Sequence, residues 1–485
     1  MKFFINSMFH TAILLLVLPA IGISSAYHVS QNGSGKLDGK LPADSWSIQH
    51  FNDPSNWSPI SEPDKISPGD TVFFHGSINT APIVAGSGNA NGRINLDFQD
   101  STLSITTQDS PISINGKSYI TIRNASWDNN FLGGYLISFN QKSSSFVSIL
   151  NNQFDGPDEG SNAKAIDLRN CSYCEIDGNS FVDVRTGVGG DSVMIHDVTI
   201  SNNVMITTAG TATYESDVIR IGDAYNINIT GNKLVQRQKA QGGVAHDDII
   251  QTYKKGGSNA GYPKDWVIEY NWLELNTTST NDKSWTMLEK VSGSWTFRGN
   301  IFVGTDGGEQ GNGLMIWGHQ PGSRTYLYNN IFVSKSGPGY MIRLGLGASS
   351  DVHHYLDNNI IYNLGGNAVT VEGGTLHHNN NITFGPGNYE GLTDDLWANA
   401  TDLPSTDPLF TDYENGIYTL ESNSSALNAG LDLGAEFRHK IVPESTWPNP
   451  TILYSDQIDI GPFDITAILP EDNISPNPPS FLTIN

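Results

Sequence analysis

The string Ala245-His-Asp-Asp-Ile-Ile-Gln251 sets an imidazole, two carboxyls and an amide side by side. The insertion Thr252-Tyr-Lys-Lys-Gly-Gly-Ser-Asn-Ala-Gly-Tyr-Pro-Lys264, which carries three amines, follows at once. Upstream, Asp217-Val-Ile-Arg220 aligns with Asp248-Ile-Ile-Gln251. If the two segments are neighbouring strands, Asp217 and Asp248 stand roughly 5 Å apart. Like charges that close do not coexist without help: one carboxyl is held protonated and serves as an acid, both ligate a Ca²⁺ ion, or Arg220 and the nearby lysines neutralise them. The plain alternative is that these aspartates cap turns.

Two chemistries suit such a cluster. In the first, a base removes the proton α to a sugar carboxylate while cations or Ca²⁺ neutralise that carboxylate. His246, Asp248, Arg220 and Lys254 are then nearest the chemistry, and Asp217, Asp247 and Asp248 would hold the metal. In the second, two carboxyls flank a glycosidic bond at about 5 Å for retention or about 6.5–9.5 Å for inversion. Asp217 with Asp248 suits the shorter spacing, and Asp248 with Glu289 suits either.

Elements that could position these groups emerge from an internal repeat. A short alternating strand, a Gly-Asn or Asn-Asn pair and one or two apolar residues recur, with the second member of the pair at Asn152, Asn179, Asn203, Asn232, Asn271, Asn300, Asn330, Asn359 and Asn381. Asn124 is read as an earlier instance. Most intervals are about 22 to 30 residues, the period of a solenoid coil. An Asn at each corner tolerates left-handed backbone and can hydrogen-bond its stacked neighbours. The apolar residues that follow, Phe154, Phe181, Leu234, Leu273, Phe302 and Phe332, are expected to stack inside.

Upstream of each corner a second strand alternates with period two. It places Leu168, Ile219, Ile250, Leu288, Ile316, Ile342 and Val371 inward, and Arg169, Arg220, Gln251, Glu289, Trp317, Arg343 and Glu372 outward in one column. A column of charged, amide and aromatic groups suits a sugar-binding groove, although every such solenoid also has a solvated outer sheet. Gln251, Glu289, Trp317, His319, Arg343 and Lys255 are the candidate substrate contacts. Trp317 offers a ring face for stacking, whereas His353 and His354 are assigned structural roles.

Bulk properties bound the rest. Lys2, the apolar run Ala12–Leu18 and Ser24-Ser25-Ala26 read as an export signal over 1–26, and no later stretch is long and apolar enough for a membrane span. The chain is expected to be secreted, extracellular or periplasmic, and monomeric. Fifty glycines and 16% charged residues point to strands and turns rather than helices. A net charge of −24 argues against nucleic acid as partner and weighs against a polyanion, unless a local basic cluster reverses the field. Cys171 and Cys174 form a CxxC with no second ligand pair, which leaves a local disulfide or two free thiols.

The expected fold is all-β, a right-handed parallel β-helix of about ten or more coils. Residues 27–95 form the N-terminal cap and first coils, 96–400 the core, 401–464 a β-rich closing segment and 465–485 a linker or tail. The opening Tyr27-His-Val-Ser-Gln-Asn-Gly-Ser-Gly35 and Pro68-Gly-Asp-Thr-Val-Phe-Phe74, the repeated corners, and the closing Asp407-Pro-Leu-Phe410, Leu427-Asn-Ala-Gly430 and Asp459-Ile-Gly-Pro-Phe463 resemble secreted β-helix proteins of the pectate-lyase-like superfamily. That resemblance implies lyases, glycoside hydrolases, epimerases and non-catalytic adhesins alike. The expectation drawn from it and from the basic groups is a lyase acting on a uronic-acid-containing polysaccharide by β-elimination, with Ca²⁺ as the one candidate cofactor. A glycoside hydrolase or a carbohydrate-binding adhesin are the alternatives.

Overall fold

The computed structural model describes residues 24–464, apart from 106–110, 128–133, 140–141, 157–163, 193, 209–215, 239–246, 256–260, 278–283, 305–311, 335–339, 365–366, 386–388 and 391–400. Expected positions 1–23, His246 and the tail after Asp464 lie outside the described residues.

Each turn of the chain lays down three short strands. Lys164–Asp167, Cys171–Asp177 and Ser180–Val184 are followed by Thr186–Asp191, His196–Ser201 and Val204–Thr208, and then by Ile219–Gly222, Tyr225–Thr230 and Lys233–Gln238. Every strand pairs in parallel with its counterpart one turn on. The result is a parallel β-helix of about eight turns, slightly fewer than the ten or more expected. Shorter end strands extend one face to an eleven-stranded sheet, running from Ile112–Ser113 to Tyr389–Glu390. The α-helix among the described residues is one short turn, Ile48–Asn52, in the N-terminal cap, where Ile48 and Phe51 are buried.

The corner asparagines form the expected ladder. Nδ2 of Asn152 donates to Oδ1 of Asn179 at 2.9 Å, and the pattern repeats through Asn203, Asn232, Asn271, Asn300, Asn330, Asn359 and Asn381, ending on Asp402. The left-handed backbone, however, belongs to the first member of each pair: Asn151, Gly178, Asn202, Gly231, Tyr270, Gly299, Asn329, Asn358 and Asn380 all have φ between 52° and 66°. Division of labour explains the pair, since the first residue turns the chain and the second satisfies buried amides. Asn124, with φ 60°, is therefore a turn residue, and Ala125 takes the ladder position.

Inside the coil the predicted stack is present. Phe154 lies on Phe181 with centroids 4.7 Å apart, and Phe302 on Phe332 at 4.6 Å, in the offset or parallel geometry aromatic pairs favour. Leu234 and Leu273 are fully buried in the same column. Cys171 and Cys174 are disulfide-bonded within one turn. The closing segment lies along the third face, where Phe410, Tyr418, Ile441, Ile460 and Phe463 cover Ile301, Ile331, Ile360 and Ile382. None of the described helices is long and apolar enough to cross a membrane.

Candidate functional site

The eleven-stranded sheet sets its outward column by strand register. That column runs Asp167, Gly189, Arg220, Gln251, Met287, Met315, Arg343, Thr370. The expected column of Arg169, Arg220, Gln251, Glu289, Trp317, Arg343 and Glu372 is thus corrected at several turns. Corners of unequal length shift the strands by two residues, so Glu289 pairs with Trp317 while Gln251 pairs with Met287. The inward column shifts with it, and Ile250 meets Thr286 rather than Leu288.

The carboxylate pair does not face this surface. Asp217 and Asp248 stand two residues before the inward-facing Ile219 and Ile250, and each is 1% exposed. The Asp248 amide donates to Oδ1 of Asp217 at 2.9 Å, and the Ser216 amide donates to Oδ1 of Asp247 at 2.9 Å. These aspartates tie consecutive turns at the corner, as the turn-capping alternative holds. Burial first, then the charge of Asp217, hold the Asp248 carboxyl well above the ordinary carboxylate range, against the pull of a Ser284 hydrogen bond. At 1% exposure the pair lies beneath the surface on which a glycosidic bond would have to rest. Among the described residues no three His, Cys, Asp or Glu side chains gather to hold a metal ion, Asp217, Asp247 and Asp248 included.

Other expected contacts scatter. Lys254 lies over the Tyr262 ring at 3.9 Å. Arg343 forms a two-pronged pair with Glu372, both contacts at 2.9 Å. His319 is buried against His354, and burial with that neighbour pushes its imidazole down to about 3. Burial therefore favours its neutral form. His354 is likewise buried, and its Nε2 meets the Gly373 carbonyl.

What the sheet does bring together is a cleft of ≈ 300 Å³ lined by Tyr135, Lys164, Arg169, Arg185, Thr186, Gly189, Gly190, Asp191, Arg220 and Tyr253. Of the residues expected nearest the chemistry, Arg220 lines this cleft, and the expected substrate contact Lys255 reaches its mouth by an ion pair with Asp191. Four cations enclose a floor made by Gly189. A Cβ there would come 3.2 Å from the Tyr135 Oη and 3.3 Å from Thr186 Cγ2, so glycine keeps the cleft open.

Charges on the wall are held in place. Arg169 Nη2 lies 3.2 Å from Asp167 and its Nε 3.7 Å from Asp191, while Arg220 Nε lies 3.7 Å from Asp217 and its guanidinium 5.2 Å from the Tyr253 ring centroid. Asp217 thus serves the cleft indirectly, by steadying Arg220. Lys164 extends over the Tyr135 ring at 4.9 Å. Burial, then the guanidiniums of Arg185 and Arg220, hold the Lys164 amine below its ordinary 10.5, with Asp167 opposing. Burial raises the hydroxyls of Tyr135 and Tyr253, which keeps both protonated.

In a chain of net charge −24 the cleft gathers four cationic side chains, offset in part by Asp167, Asp191 and Asp217. Sequence reading missed Tyr135, Lys164, Arg185, Asp191 and Tyr253 because they share no motif. Only their register brings them together.

No family model matches the chain, and no curated protein matches it. Among solved structures, pectate lyase Pel9A is similar at 12% identity over 92% of this chain and 98% of that one, with a TM-score of 0.45. XylC in complex with xylose gives 11% identity, 91% and 98% coverage and a TM-score of 0.42. The mannuronan C-5 epimerase AlgE6 A-module of Azotobacter vinelandii gives 10%, 70%, 91% and 0.38. By its own strand pairing this chain is a parallel β-helix, the fold that was expected.

Proposed function

We propose that this protein is an exported polysaccharide lyase that takes a uronic-acid-containing polymer into the basic cleft and cleaves it by β-elimination. The observation that carries the reading is the convergence of Lys164, Arg169, Arg185 and Arg220 on one cleft of a strongly acidic chain. Arg185 and Arg220 neutralise the uronate carboxylate, which acidifies the proton on the adjacent C5. Lys164, whose amine gives up its proton more readily than an ordinary lysine, accepts that proton in its neutral form. The electron pair of the C5–H bond forms the C4–C5 double bond as the C4–O bond breaks. The departing oxygen takes a proton from water or from a protonated tyrosine, Tyr135 or Tyr253. Products are an unsaturated uronide and a new chain end.

The test is a panel of acidic and neutral polysaccharides, with and without chelator, followed by the ultraviolet absorbance of unsaturated uronides and by reducing ends. Gain of both on acidic polymers alone supports the reading. Reducing ends without absorbance would make the protein a hydrolase, and binding without either an adhesin.

A further inference from the structure

Lys164 and Tyr135 are register partners on the adjoining strands Lys164–Asp167 and Tyr135–Ser138, so both side chains rise from one wall of the cleft. The Tyr135 ring crosses beneath the Lys164 amine, and its hydroxyl ends over the Gly189 floor, one turn beyond Lys164. An amine that takes a proton and a hydroxyl that gives one therefore stand side by side. Tyr253 is placed differently. It follows the strand Ile250–Thr252, three turns on from Lys164, and its ring packs on Gly222 and beside Arg220. Three turns separate the two backbones by roughly 14 Å at the strand spacing.

β-Elimination takes a proton from C5 and an oxygen from C4, which are adjacent carbons. The base and the acid must then stand close together, and a pair on one wall meets one face of the sugar ring. We infer that Tyr135 is the catalytic acid that protonates the departing oxygen, and that the cleft takes uronates whose C5 proton and C4 oxygen lie on the same face. Those are the gluco and manno configurations. In galacturonate, guluronate and iduronate the two lie on opposite faces, which calls for a base and an acid on opposite sides of the ring.

The proton account closes within the pair. Neutral Lys164 takes the C5 proton, the C–H electron pair becomes the C4–C5 double bond, the C4–O bond breaks with its electrons on oxygen, and that oxygen takes the Tyr135 proton. The Lys164 ammonium then returns its proton to the Tyr135 phenolate, which resets both groups without an outside donor. Burial first, then the charge of Asp167, raise the Tyr135 hydroxyl, so it enters the reaction protonated and is matched to a sugar alkoxide. Both assignments rest on the lyase reading and name its proton donor and its sugar.

The experiment incubates the protein with 4-linked polymers of glucuronate, mannuronate, galacturonate and guluronate, and with alternating hexosamine polymers of glucuronate or iduronate, and follows the absorbance of unsaturated product. Expected is product from glucuronate or mannuronate units and none from the other three. Tyr135→Phe keeps the ring beneath Lys164 and removes only the hydroxyl, and circular dichroism confirms its fold. It should lower kcat on the polymer about 10²- to 10⁴-fold with KM little changed. On a uronide with a nitrophenyl ether at C4, whose leaving group departs without a proton, the loss should shrink to a few-fold. Tyr253→Phe should show no such dependence on the leaving group. Cleavage at galacturonate, guluronate or iduronate as fast as at the other two overturns the choice of sugar and leaves the lyase intact. Full activity of Tyr135→Phe, or an equal loss with both leaving groups, overturns Tyr135 as the acid. Absence of unsaturated product from every acidic polymer overturns the lyase reading and both assignments with it.

Discussion

The Lys164 ammonium lies 4.9 Å above the centroid of the Tyr135 ring, in a cleft that also holds Arg169, Arg185 and Arg220. The ring face favours the charged amine, yet burial and the surrounding guanidiniums outweigh it, so the net displacement is downward. A base of this kind is active once neutral. The pH profile of kcat should therefore rise with a midpoint below the ordinary 10.5 of lysine. Lys164→Met should cost about 10²- to 10⁴-fold in turnover, the worth of a positioned base, with little change in thermal midpoint. Initial rates across pH for both proteins check this, and a Lys164→Met enzyme with full activity would remove Lys164 from the chemistry.

Gly189 makes a complementary prediction about space. Its backbone is not left-handed, so a larger residue is not strained by φ, but its side chain would enter the cleft toward Tyr135 and Thr186. Gly189→Val should weaken binding of an acidic oligosaccharide by about tenfold, equivalent to roughly 1.4 kcal/mol. Titration calorimetry reads the affinity and circular dichroism confirms the fold. Unchanged affinity would place the substrate elsewhere.

Asp248→Asn separates a structural corner from a catalytic acid. The buried Asp248 carboxyl has a folded value raised above 3.8, so the folded chain holds a proton that the unfolded chain releases between 3.8 and that raised value. Its stability contribution is fully present below 3.8 and is lost as pH rises through the folded value. The asparagine variant should lose that slope in urea melts, stay as stable as wild type or become more so at neutral pH, and keep its activity. A fall of about 10²-fold or more would instead restore Asp248 to the mechanism.

Much of the fold was legible because its signals are periodic. The Asn ladder needs an amide at every turn, and Phe154, Phe181, Phe302 and Phe332 must stack, so the residues recur at coil spacing and can be found without a structure. The site was less legible for a geometric reason. Alternation tells which residues of one strand share a face, but the pairing of one strand with the next depends on how many residues each corner consumes. That number changes between Gln251 and Glu289, which is why Met287 stands where Glu289 was expected. Asp217 and Asp248 align as foreseen but share parity with inward Ile219 and Ile250, and this could have been read from the sequence. Lys164 and Arg185 had no such cue, since neither belongs to a recurring motif.

Lys440 tests how the closing segment is fastened. Its buried Nζ donates to the carbonyls of Asp459 and Gly461 at 3.0 and 2.6 Å, and burial pushes the amine down to about 8, against the opposing charges of Asp459 and Asp464. Because the unfolded value is near 10.5, the unfolded chain binds more protons than the folded one between pH 8 and 10.5. Stability should therefore rise with pH across that window, and the full gap corresponds to about 3 kcal/mol. Lys440→Met removes the pH slope but leaves two buried carbonyls without their donor, at a cost of about 1–3 kcal/mol near neutrality. Urea melts of both proteins at pH 7 and 9.5, read by the intrinsic fluorescence of the ten tryptophans, which include Trp447 of the closing segment, measure the slopes. Equal pH slopes in the two proteins would mean that the ammonium of Lys440 does not titrate with folding.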